Sequence, residues 1–277
     1  MYAETVEKFA ETSMAKSNFL KSGFLKYFLA SALAGAYVGF GMILIFSIGA
    51  PFAAASSPAV KVLMGASFGI ALSLVIFAGS ELVTGNHMTM VIGNLSRKVT
   101  VLDTAYIWIV CWLGNLFGSL LLAFVMVNSG LISKDPWAGF ISAVSAAKMN
   151  APFFELFLRG ILCNILVCLA VWTSVRAKED TAKLILIWWC LFGFIGSGFE
   201  HCVANMSLLG MGAFLAVNPA VSWSGYVTNL IASTLGNMVG GGLLGAVYWY
   251  CSQVKASKVP SLSKEAGNPV IIPSGRM

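Results

Sequence analysis

Six long apolar segments constrain the fold of this chain more than any other feature of its sequence. Several of them exceed the roughly 20 residues that an α-helix needs to cross the hydrocarbon core of a bilayer. Only 10% of the 277 residues are charged, and the mean hydropathy is +0.84. The sequence therefore predicts an all-α polytopic membrane protein, with spans at about residues 25–50, 60–95, 101–128, 152–176, 183–215 and 222–252.

The second and fifth segments contain polar residues at membrane depth. The second is interrupted at residues 78–88 and the fifth at residues 196–206, and both interruptions contain glycine. An unpaired backbone amide costs several kcal/mol in hydrocarbon, so a helix break is tolerated only where protein or a water-filled cavity covers it. We therefore expect spans two and five to be broken helices whose polar residues belong to a transport site.

The sequence also contains an internal repeat. The spacing Glu81-x4-Asn86 recurs as Glu200-x4-Asn205 at an offset of 119 residues, and the Leu-Gly-Asn-x-x-Gly pattern of residues 113–118 recurs 122 residues later. Each half contains three spans, an odd number, so the halves must be inverted relative to each other. Inverted halves with one broken helix each place the substrate path at their interface, near the midplane of the membrane.

The distribution of lysine and arginine predicts the orientation of the spans. The N-terminal segment, the loops after spans two and four and the C-terminal tail hold thirteen of these residues, whereas the intervening loops hold three. Both termini are therefore expected on the cytoplasmic side. Because the basic residues lie between spans, the net charge of +6 does not indicate nucleic-acid binding.

The same pattern divides the chain into three parts. Residues 1–24 are expected to form a cytoplasmic amphipathic segment, either a helix on the membrane or pore mouth or a frayed terminus. Residues 25–252 are expected to form the channel domain, with repeats at about 25–128 and 152–252, and residues 253–277 are expected to form a disordered cytoplasmic tail.

His201 is the main candidate for a polar group in the transport path. It lies beside Glu200 and Asn205 in a glycine-broken segment, although a histidine in a span can also be a packing group. An imidazole with an unperturbed pKa of about 6.5 can donate a hydrogen bond or pass a proton near neutral pH. Thr84 lies in the other break and offers a hydroxyl that donates and accepts, although a helix cap would use the same group.

Other polar residues have a less direct interpretation. Lys148 precedes span four, where it belongs either to the path or to an exposed loop, and Asn164 lies on span four, where its amide needs a partner. Four residues of the breaks are expected to bind backbone groups that the broken helices leave free, because a bare carboxylate in the pore would repel anions. These residues are Glu81, Asn86, Glu200 and Asn205. The six cysteines form no Cys-x-x-Cys pair and are expected to be free core thiols.

The motifs of the two breaks resemble those of the formate/nitrite transporter family, and the resemblance covers almost the whole chain. The motifs are Gly79-Ser80-Glu81-Leu82-Val83-Thr84-Gly85-Asn86 and Gly198-Phe199-Glu200-His201-Cys202-Val203-Ala204-Asn205-Met206. The resemblance implies an aquaporin-like six-span bundle and a homopentamer in the bacterial cytoplasmic membrane, with one pore in each protomer. It also implies that the permeant is a small monovalent anion such as formate, nitrite or hydrosulfide.

The resemblance further implies roles for individual residues. Thr84 and His201 match the central polar pair of the family pore, Lys148 matches a vestibule lysine, and Asn164 matches a pore amide of span four. Five residues match apolar constrictions: Phe68, Leu82 and Phe194 on the outer side, and Leu72 and Val167 on the inner side.

The resemblance also leads to expectations about which anion permeates the channel and in which protonation state it crosses. Cys202 differs from the serine usual in formate and nitrite members, and the chain is similar to hydrosulfide-conducting members, so hydrosulfide is expected, with formate or nitrite as the alternative. A bare ion in an apolar constriction costs on the order of 20 kcal/mol in the idealised Born limit. We therefore expect Lys148 to concentrate the anion, and His201 with Thr84 to supply or relay a proton so that the neutral acid crosses. In the alternative, the anion crosses charged while hydrogen-bonded to His201.

Two other classes of protein remain open at this point. His87 and His201 could be the axial haem ligands of a membrane oxidoreductase with a quinone partner, although each lies in a broken motif rather than on a regular helix. The chain could also form a pore for neutral solutes such as water or glycerol. The favoured prediction is a channel without a cofactor, and not an enzyme.

Overall fold

The computed structural model describes residues 2–253, and within this range it contains eleven α-helices and no β-strand. The helices are α1 (Ala3–Ser22), α2 (Phe24–Ala54), α3 (Val60–Ser67), α4 (Ile70–Leu74), α5 (Val83–Leu95), α6 (Val101–Asn128), α7 (Trp137–Met149), α8 (Phe153–Arg176), α9 (Asp180–Ser197), α10 (Cys202–Leu215) and α11 (Trp223–Ser252). A π-helical turn, Val75–Gly79, follows α4 directly. The tail expected at residues 253–277 lies outside the described residues except for Gln253.

Six helical stretches in the described part are long and apolar enough to cross a membrane. They are Phe24–Ala54, Val60–Gly79, Val101–Asn128, Phe153–Arg176, Asp180–Ser197 and Trp223–Ser252. The second stretch joins α3, α4 and the π-helical turn, and the short helices α5 and α10 continue the second and fifth spans after their breaks. The prediction of an all-α bundle with six spans is therefore confirmed.

Both predicted breaks are present, and a glycine with a left-handed backbone lies where the helix before each break ends. Gly79 has φ 79° and Gly198 has φ 76°. A Cβ atom added at either position would meet nothing within 4 Å, so the backbone conformation, and not crowding, favours glycine. Leu82 and His201, the N-cap residues of α5 and α10, have extended backbones. Both N-cap residues are buried, so the two short helices begin inside the bundle.

The two halves of the chain pack in the same way. Helix α2 packs on α6 in the first half and α8 packs on α11 in the second, while α5 packs on α11 and α10 packs on α6 across the halves. Glycines of the repeated motif allow this close packing. A Cβ atom at Gly118 would lie 1.8 Å from the carbonyl oxygen of Ala32, and one at Gly240 would lie 2.4 Å from that of Ile161. The repeat therefore builds two matching helix pairs with the broken spans between them.

Two further helices, α1 and α7, precede the first span of each half. Helix α1 buries Val6, Phe9 and Ala10, and the ring of Phe9 stacks on that of Trp172 with centroids 5.4 Å apart. The N-terminal segment is thus a docked helix rather than a frayed terminus. Helix α7, Trp137–Met149, packs on α10, so the stretch before span four is helical and not the exposed loop that was one of its two interpretations.

The six cysteines are all free, as expected. Four of them are buried: Cys111, Cys163, Cys168 and Cys202. Cys190 is partly buried, and Cys251 is exposed at the end of α11, so the expectation of a core thiol is wrong for Cys251.

Candidate functional site

His201 and Thr84 face each other where the two broken spans meet. Nε2 of His201 lies 3.1 Å from Oγ1 of Thr84, and the two residues are only 4% and 0% exposed. His201 is the N-cap of α10, and Thr84 lies in the first turn of α5. The structure therefore brings together the two residues of the predicted central pair, one from each half of the repeat.

The other ring nitrogen of His201 determines where its proton lies. Nδ1 accepts the backbone N–H of Ala204 at 3.1 Å, which caps the first turn of α10. A nitrogen that accepts a hydrogen bond carries no proton, so the neutral ring holds its proton on Nε2 and donates it to the Thr84 hydroxyl. The ring can bind a second proton only by releasing the Ala204 N–H.

Apolar side chains enclose the His201 ring. The cavity beside it has a volume of about 10 Å³, the space of roughly one water-sized molecule. The rings of Phe68 and Phe194 pack edge to face with centroids 5.5 Å apart, and His201 stacks on Phe194 at 5.8 Å. We call this space the central cavity; it is lined by Val38, Phe68, Ala71, Leu72, Leu82, Val167, Leu191, Phe194 and His201.

A wider cavity of about 620 Å³, here called the α1 vestibule, lies on the α1 side of this enclosure. It is lined by α1, by parts of residues 72–89 and by α8. Leu72 and Leu82 line both the α1 vestibule and the central cavity, so they separate the two spaces. Leu82 therefore borders both spaces, and it lines the central cavity together with Phe68, Phe194 and Leu72. The outer and inner constrictions that the resemblance implies stay predictions.

Matching ion pairs lie near the two breaks. Lys148 lies in the last turn of α7, with Nζ 2.7 Å from Oε1 of Glu200 and 3.3 Å from Oδ1 of Asn205. Lys16 on α1 makes the equivalent contact, 2.7 Å from Oε2 of Glu81. Lys148 is therefore not an exposed loop lysine. Lys16 is a site residue that the sequence analysis missed, although it precedes the first half as Lys148 precedes the second.

Asn164 lies behind Thr84 and does not line the central cavity. Its Nδ2 donates to the carbonyl oxygen of Asn237 at 2.6 Å and lies 3.2 Å from both the Thr84 carbonyl oxygen and Nδ1 of His87. Asn164 therefore connects α8 to the backbones of α5 and α11, and the role of a pore amide that the resemblance implies stays a prediction.

The side chains expected to bind freed backbone groups make other contacts. Glu81 and Glu200 each bind one lysine and the asparagine five residues further along the chain, Asn86 or Asn205. The freed backbone groups are bound instead by the two asparagines of the repeated Leu-Gly-Asn motif, Asn115 and Asn237. The motif is visible in the sequence, but nothing in it indicates which backbone groups its asparagine contacts.

The contacts of the two histidines do not suit a shared haem. Both ring nitrogens of His201 are engaged, one with Ala204 and the other with Thr84. The ring of His87 packs edge to face on Trp108 with centroids 5.1 Å apart. Axial ligation needs a free nitrogen of each ring facing the iron, so this geometry gives the oxidoreductase alternative no support.

Comparison with known proteins decides the family. A family model described as formate/nitrite transporter matches residues 3–251. The chain belongs to the formate/nitrite transporter family. It is therefore a multi-pass membrane protein with the fold of a transporter family, as the motifs of the two breaks predict.

Relatives and solved structures within this family cover nearly the whole chain. A protein described as nitrite transporter NirC of Salmonella typhimurium is 40% identical over 267 residues, covering 94% of this chain and 96% of the relative. A solved structure described as an FNT family ion channel is 41% identical, with a TM-score of 0.85 and coverage of 90% of this chain and 98% of that one. A structure described as a pentameric formate channel with formate bound is 29% identical, with a TM-score of 0.72 and coverage of 84% and 98%.

Proposed function

We propose that this protein is a channel for small monovalent anions of weak acids. The observation that carries the proposal is the His201–Thr84 pair, two hydrogen-bonding side chains enclosed by apolar residues where two broken spans meet. Relatives described as a nitrite transporter and a formate channel support a small anion as permeant. We further propose a homopentamer in a bacterial cytoplasmic membrane, with both termini cytoplasmic and one pore in each protomer.

The Lys148–Glu200 pair attracts the anion to the pathway. A fixed positive charge raises the local concentration of a small anion. The Lys148 side chain is 22% exposed, whereas that of Glu200 is 3% exposed, so an approaching anion meets the ammonium group before the carboxylate. Because Glu200 competes with the anion for Lys148, the pair favours entry of an anion without holding it tightly.

The central cavity favours a neutral permeant. Apolar walls stabilise the protonated form of a weak acid relative to its anion. His201 is a poor source of that proton, because donating it from Nε2 would leave an imidazolate among apolar side chains while Nδ1 is held by Ala204. We therefore propose that the proton enters from the aqueous end of the pathway, and that His201 and Thr84 hydrogen-bond the acid as it passes. This revises the expectation that His201 supplies or relays the proton.

Hydrosulfide and nitrite are the two leading permeants. Hydrosulfide forms the smallest neutral acid of the three candidates, with one heavy atom against three in nitrous and formic acid, and the small size of the central cavity favours it on this ground. Nitrite is favoured by the NirC relative, which is 40% identical to this chain. Formate remains a candidate through the solved formate channel.

A flux comparison in proteoliposomes tests the proposal. Purified protein is reconstituted, and uptake of hydrosulfide, nitrite and formate is measured across a pH series while the membrane potential is recorded. The His201→Phe variant tests the central pair, and His87→Phe is the matched control, because His87 does not line the central cavity.

The expected result is uptake of at least one of the three anions with little net charge moved per anion, and loss of uptake in His201→Phe but not in His87→Phe. One full charge moved per anion would overturn the neutral-acid step while leaving the channel in place. No uptake of any of the three anions would overturn the channel itself.

A further inference from the structure

Asn237 fixes the peptide groups on both sides of His201. Its Oδ1 accepts the backbone N–H of Cys202 at 2.9 Å, and its Nδ2 donates to the carbonyl oxygen of Glu200 at 2.9 Å. The same Nδ2 donates to the carbonyl oxygen of Gly160 on α8 at 2.7 Å. Asn237 is fully buried, and its three hydrogen bonds tie the second break to α8 and α11.

Asn115 makes the same contacts around Leu82. Its Oδ1 accepts the N–H of Val83 at 3.0 Å, and its Nδ2 donates to the carbonyl oxygens of Glu81 at 2.8 Å and Ser31 at 2.7 Å. Asn115 is also fully buried. The two asparagines are 122 residues apart, the offset of the repeated Leu-Gly-Asn motif.

A fourth hydrogen bond completes the match between the breaks. The backbone N–H of Glu81 donates to the carbonyl oxygen of Ala30 at 3.1 Å, and that of Glu200 donates to the carbonyl oxygen of Arg159 at 3.3 Å. Each break is therefore held to the first and third spans of its own half by the same set of bonds.

The backbone conformations of the two held residues agree closely. Leu82 has φ −107° and ψ 122°, and His201 has φ −106° and ψ 114°. The repeat thus builds one backbone geometry twice. This geometry holds the apolar side chain of Leu82 in one half and the imidazole of His201 in the other. The difference explains how a nearly symmetric scaffold carries a single polar site.

We propose that Asn237 is the positioning residue of His201 and that Asn115 is the positioning residue of Leu82. Asn237 holds the N-cap backbone so that Nδ1 reaches the Ala204 N–H and Nε2 points at Thr84 and the permeant. This inference rests on the proposed function, in which His201 hydrogen-bonds the permeant. If both asparagines acted only as general support for the fold, they would be equivalent with respect to His201.

A double-mutant cycle separates positioning from general support. Asn237→Asp and Asn115→Asp keep the volume and one acceptor but lose the Nδ2 donors; each is made alone and combined with His201→Phe. Nitrite uptake into proteoliposomes is the first readout, with pentamer elution as the check on folding. We expect His201→Phe to lower uptake at least tenfold in the wild-type and Asn115→Asp backgrounds, but less than twofold in Asn237→Asp.

A second readout does not depend on transport. The chain has only two histidines, so ¹⁵N-histidine labelling with His87→Gln leaves one imidazole, that of His201. In the wild type, the ¹⁵N signals should be those of a ring protonated on Nε2, and Asn115→Asp should leave them unchanged. In Asn237→Asp, the signals should show a mixture of the two tautomers. Asn237→Thr, whose hydroxyl can accept from Cys202 and donate once, should restore part of the ordered signal.

An equal effect of His201→Phe in all three backgrounds, or an unchanged tautomer in Asn237→Asp, would overturn the inference. If His201→Phe leaves uptake unchanged in the wild-type background, the proposed role of His201 fails instead. The tautomer measurement then still decides whether Asn237 orients the ring.

Discussion

His201 and Thr84 form a hydrogen bond of 3.1 Å between two helices that belong to opposite halves of an inverted repeat. Neither half could build this contact alone, because each contributes one N-terminal turn of a short helix. The pair therefore reports whether the two broken spans meet correctly, and it is the most direct target for substitution.

Thr84→Val removes the hydroxyl that accepts the Nε2 proton of His201 and that can donate to a permeant. We expect anion uptake to fall about tenfold, the effect of losing one hydrogen bond worth about 1.4 kcal/mol. Thr84→Ser keeps the hydroxyl and should retain most of the uptake. Rates in proteoliposomes at matched protein density measure the difference, and equal rates for the valine and serine variants would show that the hydroxyl has no role.

Lys148→Met leaves the buried carboxylate of Glu200 without its cation. Removing one partner of a buried ion pair costs about 3–5 kcal/mol, and partial exposure of Lys148 lowers the expected loss of unfolding free energy to about 2 kcal/mol. Adding Glu200→Gln removes the uncompensated charge and should restore most of the stability. Thermal unfolding in detergent measures both variants.

The pair Glu4–Lys8 on α1 is the matched control for this experiment, because it lies outside the six spans and its side chains are 83% and 54% exposed. Lys8→Met should leave the unfolding temperature close to that of the wild type, because an ion pair in water contributes little to stability. A loss in Lys8→Met as large as that in Lys148→Met would mean that burial of the Lys148 pair contributes nothing.

The parts of the fold that could be predicted from the sequence are those set by local composition. Hydropathy determines the six spans, and the clusters of glycine and polar residues determine the two breaks. Helix α7, Trp137–Met149, is missed because it is too short to span a membrane and its small residues also suit a loop. The helix is stabilised by packing against α10, and the sequence pattern does not show that these two segments are in contact.

The site is predicted less completely, because its polar groups choose partners through the tertiary structure. The sequence identifies Thr84 and His201, but Lys16 becomes a candidate only when α1 docks beside Glu81. Likewise, either Glu200 or Asn237 could bind the freed backbone of the second break. Only the packing of α11 shows that the asparagine does so, which leaves the carboxylate to Lys148.

Leu82→Ala is expected to weaken the barrier between the α1 vestibule and the central cavity. Leu82 is 5% exposed and lines both spaces, so truncating it joins them. We expect faster water permeation and a smaller rate difference between hydrosulfide, nitrite and formate, measured by stopped-flow light scattering and by flux. Leu95→Ala is the control, since Leu95 is 38% exposed and lines neither space. Unchanged water permeation in Leu82→Ala would place the barrier elsewhere.

Gly198→Ala tests whether the left-handed backbone before His201 is a requirement of the break. The added methyl group has free space, so the whole effect comes from the φ of 76°, which costs an alanine about 1–2 kcal/mol.

Gly196→Ala is the matched control, because this position has equal space but lies within the regular helix α9, where alanine is favoured over glycine by about 1 kcal/mol. Thermal unfolding should therefore shift in opposite directions for the two variants. Anion uptake should fall only in Gly198→Ala, because the strain acts three residues from His201 and disturbs the backbone that leads to the N-cap of α10. If both variants unfold at the same temperature as the wild type, the break does not depend on the glycine conformation.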